Sequence, residues 1–227
     1  MPPGRGWHHP DVTPSQEDAD PWRESRWPPL AALFVAALLE VSLPGDLILG
    51  GGWVRWIIPA LVLVLIVVAA ASPAEESDRR RRLGITLAAL VTLANAVAIG
   101  ELVYGIVGEV GFEGKYLIVA ALQVWFTNVI IFAVWFWEID GGGPRHRAIA
   151  RPGPHEFLFA QYTLPEPWSW RPAFWDYLYL SFSNSVSFAP ADVLPLRHRM
   201  KALMAVESIL SLLVILLIAA RAISILR

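Results

Sequence analysis

Long apolar runs separated by short polar stretches constrain this chain more than any other feature. Four of them, from about Trp53 to Ala71, Ile85 to Tyr104, Tyr116 to Trp137 and Ala202 to Leu226, come near the roughly 20 residues that a helix rising 1.5 Å per residue needs to cross a hydrocarbon core. A fifth, "LAALFVAALLEVSL" from Leu30 to Leu43, is shorter, carries Glu40 and stops at "PGD". Tilt or flanking residues would let it span; an interfacial or re-entrant helix is the other reading. Hydrophobic residues make up 56% of the chain and charged ones only 17%, a balance far from that of a soluble domain. The expected fold class is all-α, a polytopic membrane helix bundle with about five transmembrane helices. Residues 1–28 read as a disordered tail too polar and proline-rich to bury a core, with Trp22 and Trp27 near the interface. Residues 29–138 form a four-helix membrane region, 139–172 a loop, and 173–227 a separate C-terminal module.

Charge sets the expected topology, because basic residues gather in short cytoplasmic loops. Arg79 to Arg82 in "EESDRRRRLG" mark one such loop, placing Arg23 and Arg26 inside if the first segment spans. Glu109, Glu113 and Lys115 then fall outside, and "GGGPRHRAIAR" returns Arg145, Arg147 and Arg151 to the cytoplasm. The N-terminus is expected in the cytoplasm and the protein in the cell membrane. These arginines read as solvated charges that set orientation, with at most weak contact to anionic lipid. Tyr116, Trp125, Trp135 and Trp137 supply aromatic rings toward the ends of one span. The chain has no cysteine, so it offers neither a disulfide nor a thiolate metal site.

The C-terminal module runs "PAFWDYLYLSFSNS", "VSFAPAD", "VLPLRHRMK" and then the last apolar run. Phe174 to Asn184 is too short to span, rich in aromatic residues, and ends in small polar ones, the pattern expected of a re-entrant helix buried in protein or facing water. With Asp176, Tyr179, Ser181, Ser185, Val186, Phe188, Asp192 and Pro195 in order, it resembles the two-helix pore module of the tetrameric potassium-channel superfamily. The stretch "FWDYLYLSFSNSVSFAPADVLPL", with "GGG" and "FLF" upstream, resembles a family of bacterial integral membrane proteins having a channel-like C-terminus; the likeness covers roughly residues 125 to 226. It implies a homo-oligomer, tetrameric if channel-like, in the lipid bilayer, with monovalent cations as partners and no cofactor.

The departures from that pattern matter as much. Ser187 and Ala189 stand where a potassium filter has glycines, followed by Pro190 and Ala191, and a Cβ in a left-handed backbone costs roughly 1 kcal/mol or more. A carbonyl ladder is therefore not expected. Ser183, Asn184, Ser185, Ser187, Phe188 and Asp192 are instead the candidate lining of a hydrated pore loop; the alternative is that the serines and asparagine satisfy the loop's own backbone. The charge count and the resemblance also conflict, since Arg145 to Arg151, Arg171, Arg197, Arg199 and Lys201 would share the cytoplasmic face. Following the charges, the loop dips from the cytoplasm.

Within the spans, Glu207, Ser211 and Arg221 share one face of the last helix with Val214 and Ile218, a candidate pore or packing face. Glu40 and Glu101 are intramembrane acids with a candidate proton or cation role, while Asn95, Gln123, Thr127, Asn128 and Glu138 read as interhelical hydrogen-bonding groups. The histidines, His8, His9, His146, His155 and His198, show no metal spacing, and "GGG" reads as a flexible helix stop rather than a phosphate cradle. Neither a catalytic constellation nor a nucleic-acid surface is expected. The functional expectation is a weakly selective cation channel, the alternative a nonconducting scaffold using the same module for packing.

Overall fold

The structure, a computed structural model, describes residues 24–43, 60, 61, 63, 64, 67, 68, 77–107, 114–150, 153–165, 170–187 and 192–225. Six helices are described in full: α1 (Trp27–Val41), α2 (Ser77–Val107), α3 (Gly114–Ile139), α4 (Pro144–Ile149), α5 (Phe174–Ser187) and α6 (His198–Ile225). Two short strands, β1 (Phe157–Phe159) and β2 (Val193–Pro195), pair antiparallel with Leu158 opposite Leu194. The all-α membrane bundle expected from the apolar runs is the architecture observed. Among the described residues, three stretches, Arg81–Gly105, Tyr116–Gly142 and His198–Ile223, are long and apolar enough to cross a membrane.

Helix α3 is the axis of the bundle, packed against α1, α2, α5 and α6. Its neighbours fix their own directions by side-chain pairs. Asn95 of α2 meets Asn128 of α3, and the N-terminal turns of α2 reach Glu138 at the other end of α3, so the two run antiparallel. This brings Arg81 beside Gly143. The arginine run of Arg79 to Arg82 and the Arg145–Arg147 segment thus lie at one end of the bundle, here termed the basic end.

The fifth span of the sequence reading does not reach full length. Pro28 fits the first turn of α1, where a missing N–H costs nothing, and the helix then runs only 15 residues. Beyond it, Gln123 Nε2 donates to Ser42 Oγ at 2.8 Å, while α3 continues nine residues (123 minus 114) to Gly114. The chain at Ser42 is therefore about 13 Å short of the far end of α3. Of the Trp53 to Ala71 run, only Ala60, Leu61, Leu63, Val64, Val67 and Val68 are described, all helical and exposed; the remainder lies outside the described residues.

The segment read as a loop, 139–172, is built. Gly141, Gly142 and Gly143 all adopt positive φ, at 57°, 79° and 98°, turning the chain sharply at the end of α3 and starting α4. A Cβ at Gly141 would sit 2.8 Å from Arg147 Cγ and from His155 Cδ2. The triplet is a tight corner, not the flexible stop expected. Phe136, Phe157, Phe159, Tyr162, Trp170 and Tyr177 form an aromatic layer of edge-on and tilted contacts.

Helix α5 enters from the basic end, with Phe174 against Trp137, and descends beside α3 until Phe182 meets Trp125. By Asp192 the chain is back at the basic end, where that residue's carbonyl accepts from Ala160 N at 3.1 Å. Helix α6 then starts parallel to α5 and continues past it along α3. Helix α5 is thus short beside α3, and the described chain before and after it lies at the same end of the bundle.

Candidate functional site

Buried polar groups form two clusters at different depths. The deeper one centres on Glu207 of α6, whose side chain is completely shielded. Ser181 Oγ is hydrogen-bonded to Glu207 Oε1 and also donates to the Val129 carbonyl of α3 at 2.7 Å. Asn184 Nδ2 donates to Glu207 Oε2 at 2.7 Å and to the Met204 carbonyl at 3.0 Å. Ser185 Oγ donates to Glu207 Oε1 at 3.1 Å. The helical period explains the convergence: residues 181, 184 and 185 of α5 fall on one face, and that face meets α6. One turn further along α6, Ser211 Oγ accepts from Asn128 Nδ2 at 3.1 Å, and Asn128 Oδ1 accepts from Asn95 Nδ2 at 3.4 Å. The result is a polar string across α2, α3, α5 and α6.

The shallower cluster, at the basic end, is charged. Arg147, 2% exposed, donates to the carbonyl of Trp137 (2.7 Å), one of the acceptors in the last turn of α3, and to that of Asp140 (2.5 Å), which also accepts from Gly143 N at 2.9 Å. Its other nitrogens grip Glu24 at 3.0 Å in a two-point contact, and its guanidinium lies 5.1 Å from the Tyr177 ring centre. Burial opposes the charge, yet Tyr177, Glu24 and Asp140 together more than offset it and hold the Arg147 pKa above the ordinary arginine value. Asp140 Oδ2 accepts from Tyr177 OH at 2.6 Å, and Oδ1 accepts from the backbone N–H of Glu156 and Phe157 at 2.8 and 3.3 Å. Arg171 bonds the Arg147 and Ala150 carbonyls, and Arg199 pairs with Glu156. Trp137 Nε1 donates to Glu24 at 2.6 Å.

Against the sequence expectations, the placement is mixed. Ser183, Asn184, Ser185 and Ser187 belong to α5, not to a loop, because the helix runs three residues beyond Asn184. Asn184 and Ser185 are buried against Glu207, Ser183 returns its hydroxyl to the Leu180 carbonyl at 3.0 Å, and Ser187 is exposed. Phe188 lies outside the described residues, and Asp192 is exposed at the basic end. Glu207 and Ser211 share the buried face as expected, while Arg221 is half-buried two to three turns further on. Glu40 and Glu101 lie within electrostatic reach of each other where α1 meets α2, and Glu101 is buried. Among the interhelical groups, Thr127 Oγ1 is buried without a hydrogen bond, and Glu138 meets Arg26 at 4.0 Å.

Sequence reasoning missed the Asp140, Arg147, Glu24 and Tyr177 constellation. Arg147 was read only as an orienting charge, and Glu24 and Arg26 as tail. The available signal was an acid placed directly between an apolar span and three glycines, with an arginine seven residues on. Among the described residues, no group of three or more His, Cys, Asp or Glu side chains is arranged to hold a metal ion. In comparisons with known proteins, no family model, no curated protein and no solved structure matches the chain.

Proposed function

We propose that this is an oligomeric integral membrane protein in which copies meet around the re-entrant helix α5, leaving at their shared axis a weakly selective path for monovalent cations. One observation carries the reading: α5 stops near the middle depth of the bundle, and Val186 and Ser187 at its end are exposed on a single copy. The last carbonyls of a helix lack intrahelical partners, and in hydrocarbon each unsatisfied group costs several kcal/mol. Protein or water must cover them. A ring of copies provides both, and the exposed stripe of Trp175, Tyr179, Phe182 and Val186 along α5 supplies apolar contact area. Since Ser181, Asn184 and Ser185 face inward, the lining falls to Ser187 and Asp192. Their side chains, not glycine-borne carbonyls, would meet the ion, which favours poor selection of potassium over sodium. By the positive-inside rule the basic end is cytoplasmic, so α5 dips from that side.

The specific observation favouring a nonconducting scaffold is the complete use of Ser181, Asn184 and Ser185 in internal hydrogen bonds. Purified oligomer in planar bilayers separates the two: a cation current with reversal potentials near zero in mixed potassium and sodium gradients supports the path. Silence across voltage and pH, with the oligomer folded, leaves the scaffold. Labelling His146→Cys and Tyr116→Cys in intact cells with an impermeant thiol reagent tests sidedness. Reaction at position 116 alone is expected; reaction at 146 alone reverses the orientation.

A further inference from the structure

We infer that the Glu207 carboxyl holds a proton while α5 and α6 are packed, which makes the centre of the bundle a proton-binding site. Ser181 carries too few hydrogens for an ionised neighbour. Ser181 has one hydroxyl hydrogen, yet its oxygen sits within hydrogen-bonding distance of both the Val129 carbonyl, at 2.7 Å, and Glu207 Oε1. The carbonyl can only accept. Were Glu207 ionised, Oε1 would also only accept, and one hydrogen would have to serve two acceptors at close range.

A protonated acid removes the conflict. Oε1–H donates to Ser181 Oγ, whose own hydrogen goes to the Val129 carbonyl; Ser185 donates to the remaining lone pair of Oε1; and Oε2, as the carbonyl oxygen, accepts from Asn184 Nδ2. Every donor then has an acceptor. The surroundings agree, since no cationic side chain contacts Glu207 among the described residues. On α5 the titratable groups are Tyr177, bonded to Asp140, Asp176, which accepts from Ala173 N, and Tyr179, which is exposed. On α6, Arg199 is engaged with Glu156, Lys201 is exposed, and Arg221 lies three to four turns beyond. On α3 Glu138 pairs with Arg26 at the basic end, and Glu101 of α2 and Glu40 of α1 lie toward the far end. An ionised carboxylate here would be buried without a counter-charge, an arrangement proteins avoid by neutralising the group. Release of the proton therefore requires α5 and α6 to part far enough for water to reach Oε1. The inference holds whether or not the assembly conducts.

Infrared difference spectroscopy tests it on the full-length protein in lipid nanodiscs at neutral pH. Wild type minus Glu207→Gln is expected to show a protonated-carboxyl C=O stretch that is lost in the variant; loss of the paired carboxylate stretches instead would overturn the inference. Ser181→Ala gives an independent reading that survives a folding defect in Glu207→Gln. With its acceptor gone, the same C=O band is expected to persist and move to higher frequency. A Ser181→Ala spectrum with no shifted protonated-carboxyl band would overturn the assignment as well.

Discussion

The two buried clusters surround their acids with different kinds of partner. At the basic end, Glu24 is gripped by the Arg147 guanidinium, and the Asp140 carboxylate accepts from Tyr177 OH and two backbone N–H groups. In the middle, Glu207 has three neutral hydrogen-bonding partners and, among the described residues, no cation in contact. The difference follows depth. Near a helix end, free carbonyls and N–H groups are available to solvate an arginine; within the spans the backbone is already paired, and only side-chain hydroxyls and amides remain.

Removing the arginine breaks the charged cluster at its hinge. Arg147→Ala takes the cation from Glu24 and a donor from each of the Trp137 and Asp140 carbonyls, and a loss of about 3–5 kcal/mol is expected, read as a lowered midpoint of chemical unfolding in detergent. Arg147→Lys should recover only part of it, because an ammonium cannot reach Glu24 and both carbonyls with a fixed fork. The neutral cluster should yield less. Glu207→Ala strands the Ser185 hydroxyl and one N–H of Asn184, for about 1–3 kcal/mol, whereas Glu207→Gln is expected to stay close to wild type at neutral pH; equal losses in the two variants would mean that the carboxyl is charged after all. One bond further from the centre, Asn128→Ala should cost about 0.6 kcal/mol, the usual worth of an interhelical hydrogen bond in a membrane.

The smallest effect lies in the aromatic layer. Burial, with the Asp140 charge adding, pushes the Tyr162 pKa from 10.0 up to about 12. The unfolded chain therefore releases this proton first, and stability should fall as the pH rises between those two values. Tyr162→Phe should flatten that part of the profile. An unchanged slope above pH 10 would place the titration elsewhere.

Much of the architecture could be read from the residues alone. The run from Tyr116 to Trp137 marks α3 within a few residues, because a span must be apolar over its whole length, and the brevity of Phe174 to Asn184 already implied a helix that turns back. Glu207 and Ser211 were placed on one face by spacing. What spacing could not supply is the partner of each face: the inward turn of Asn184 and Ser185 depends on where α6 packs, which no local pattern encodes. Nor could it join Glu24 to Arg147, since that contact is set by the corner at Gly141 to Gly143, where three consecutive left-handed residues bring the chain back over the end of α3.

That contact has a consequence for how the chain is made. Glu24 and Arg147 are separated by 123 positions, and Tyr177, which packs on the same guanidinium, emerges later still. At about 5–20 residues per second, a ribosome needs roughly 6–25 s to progress from one partner to the other. Throughout that interval Glu24 is without the guanidinium that grips it in the folded chain. The wild-type nascent chain is therefore expected to linger with its insertion factors until the arginine arrives, and a chain truncated before residue 147 should remain bound to them.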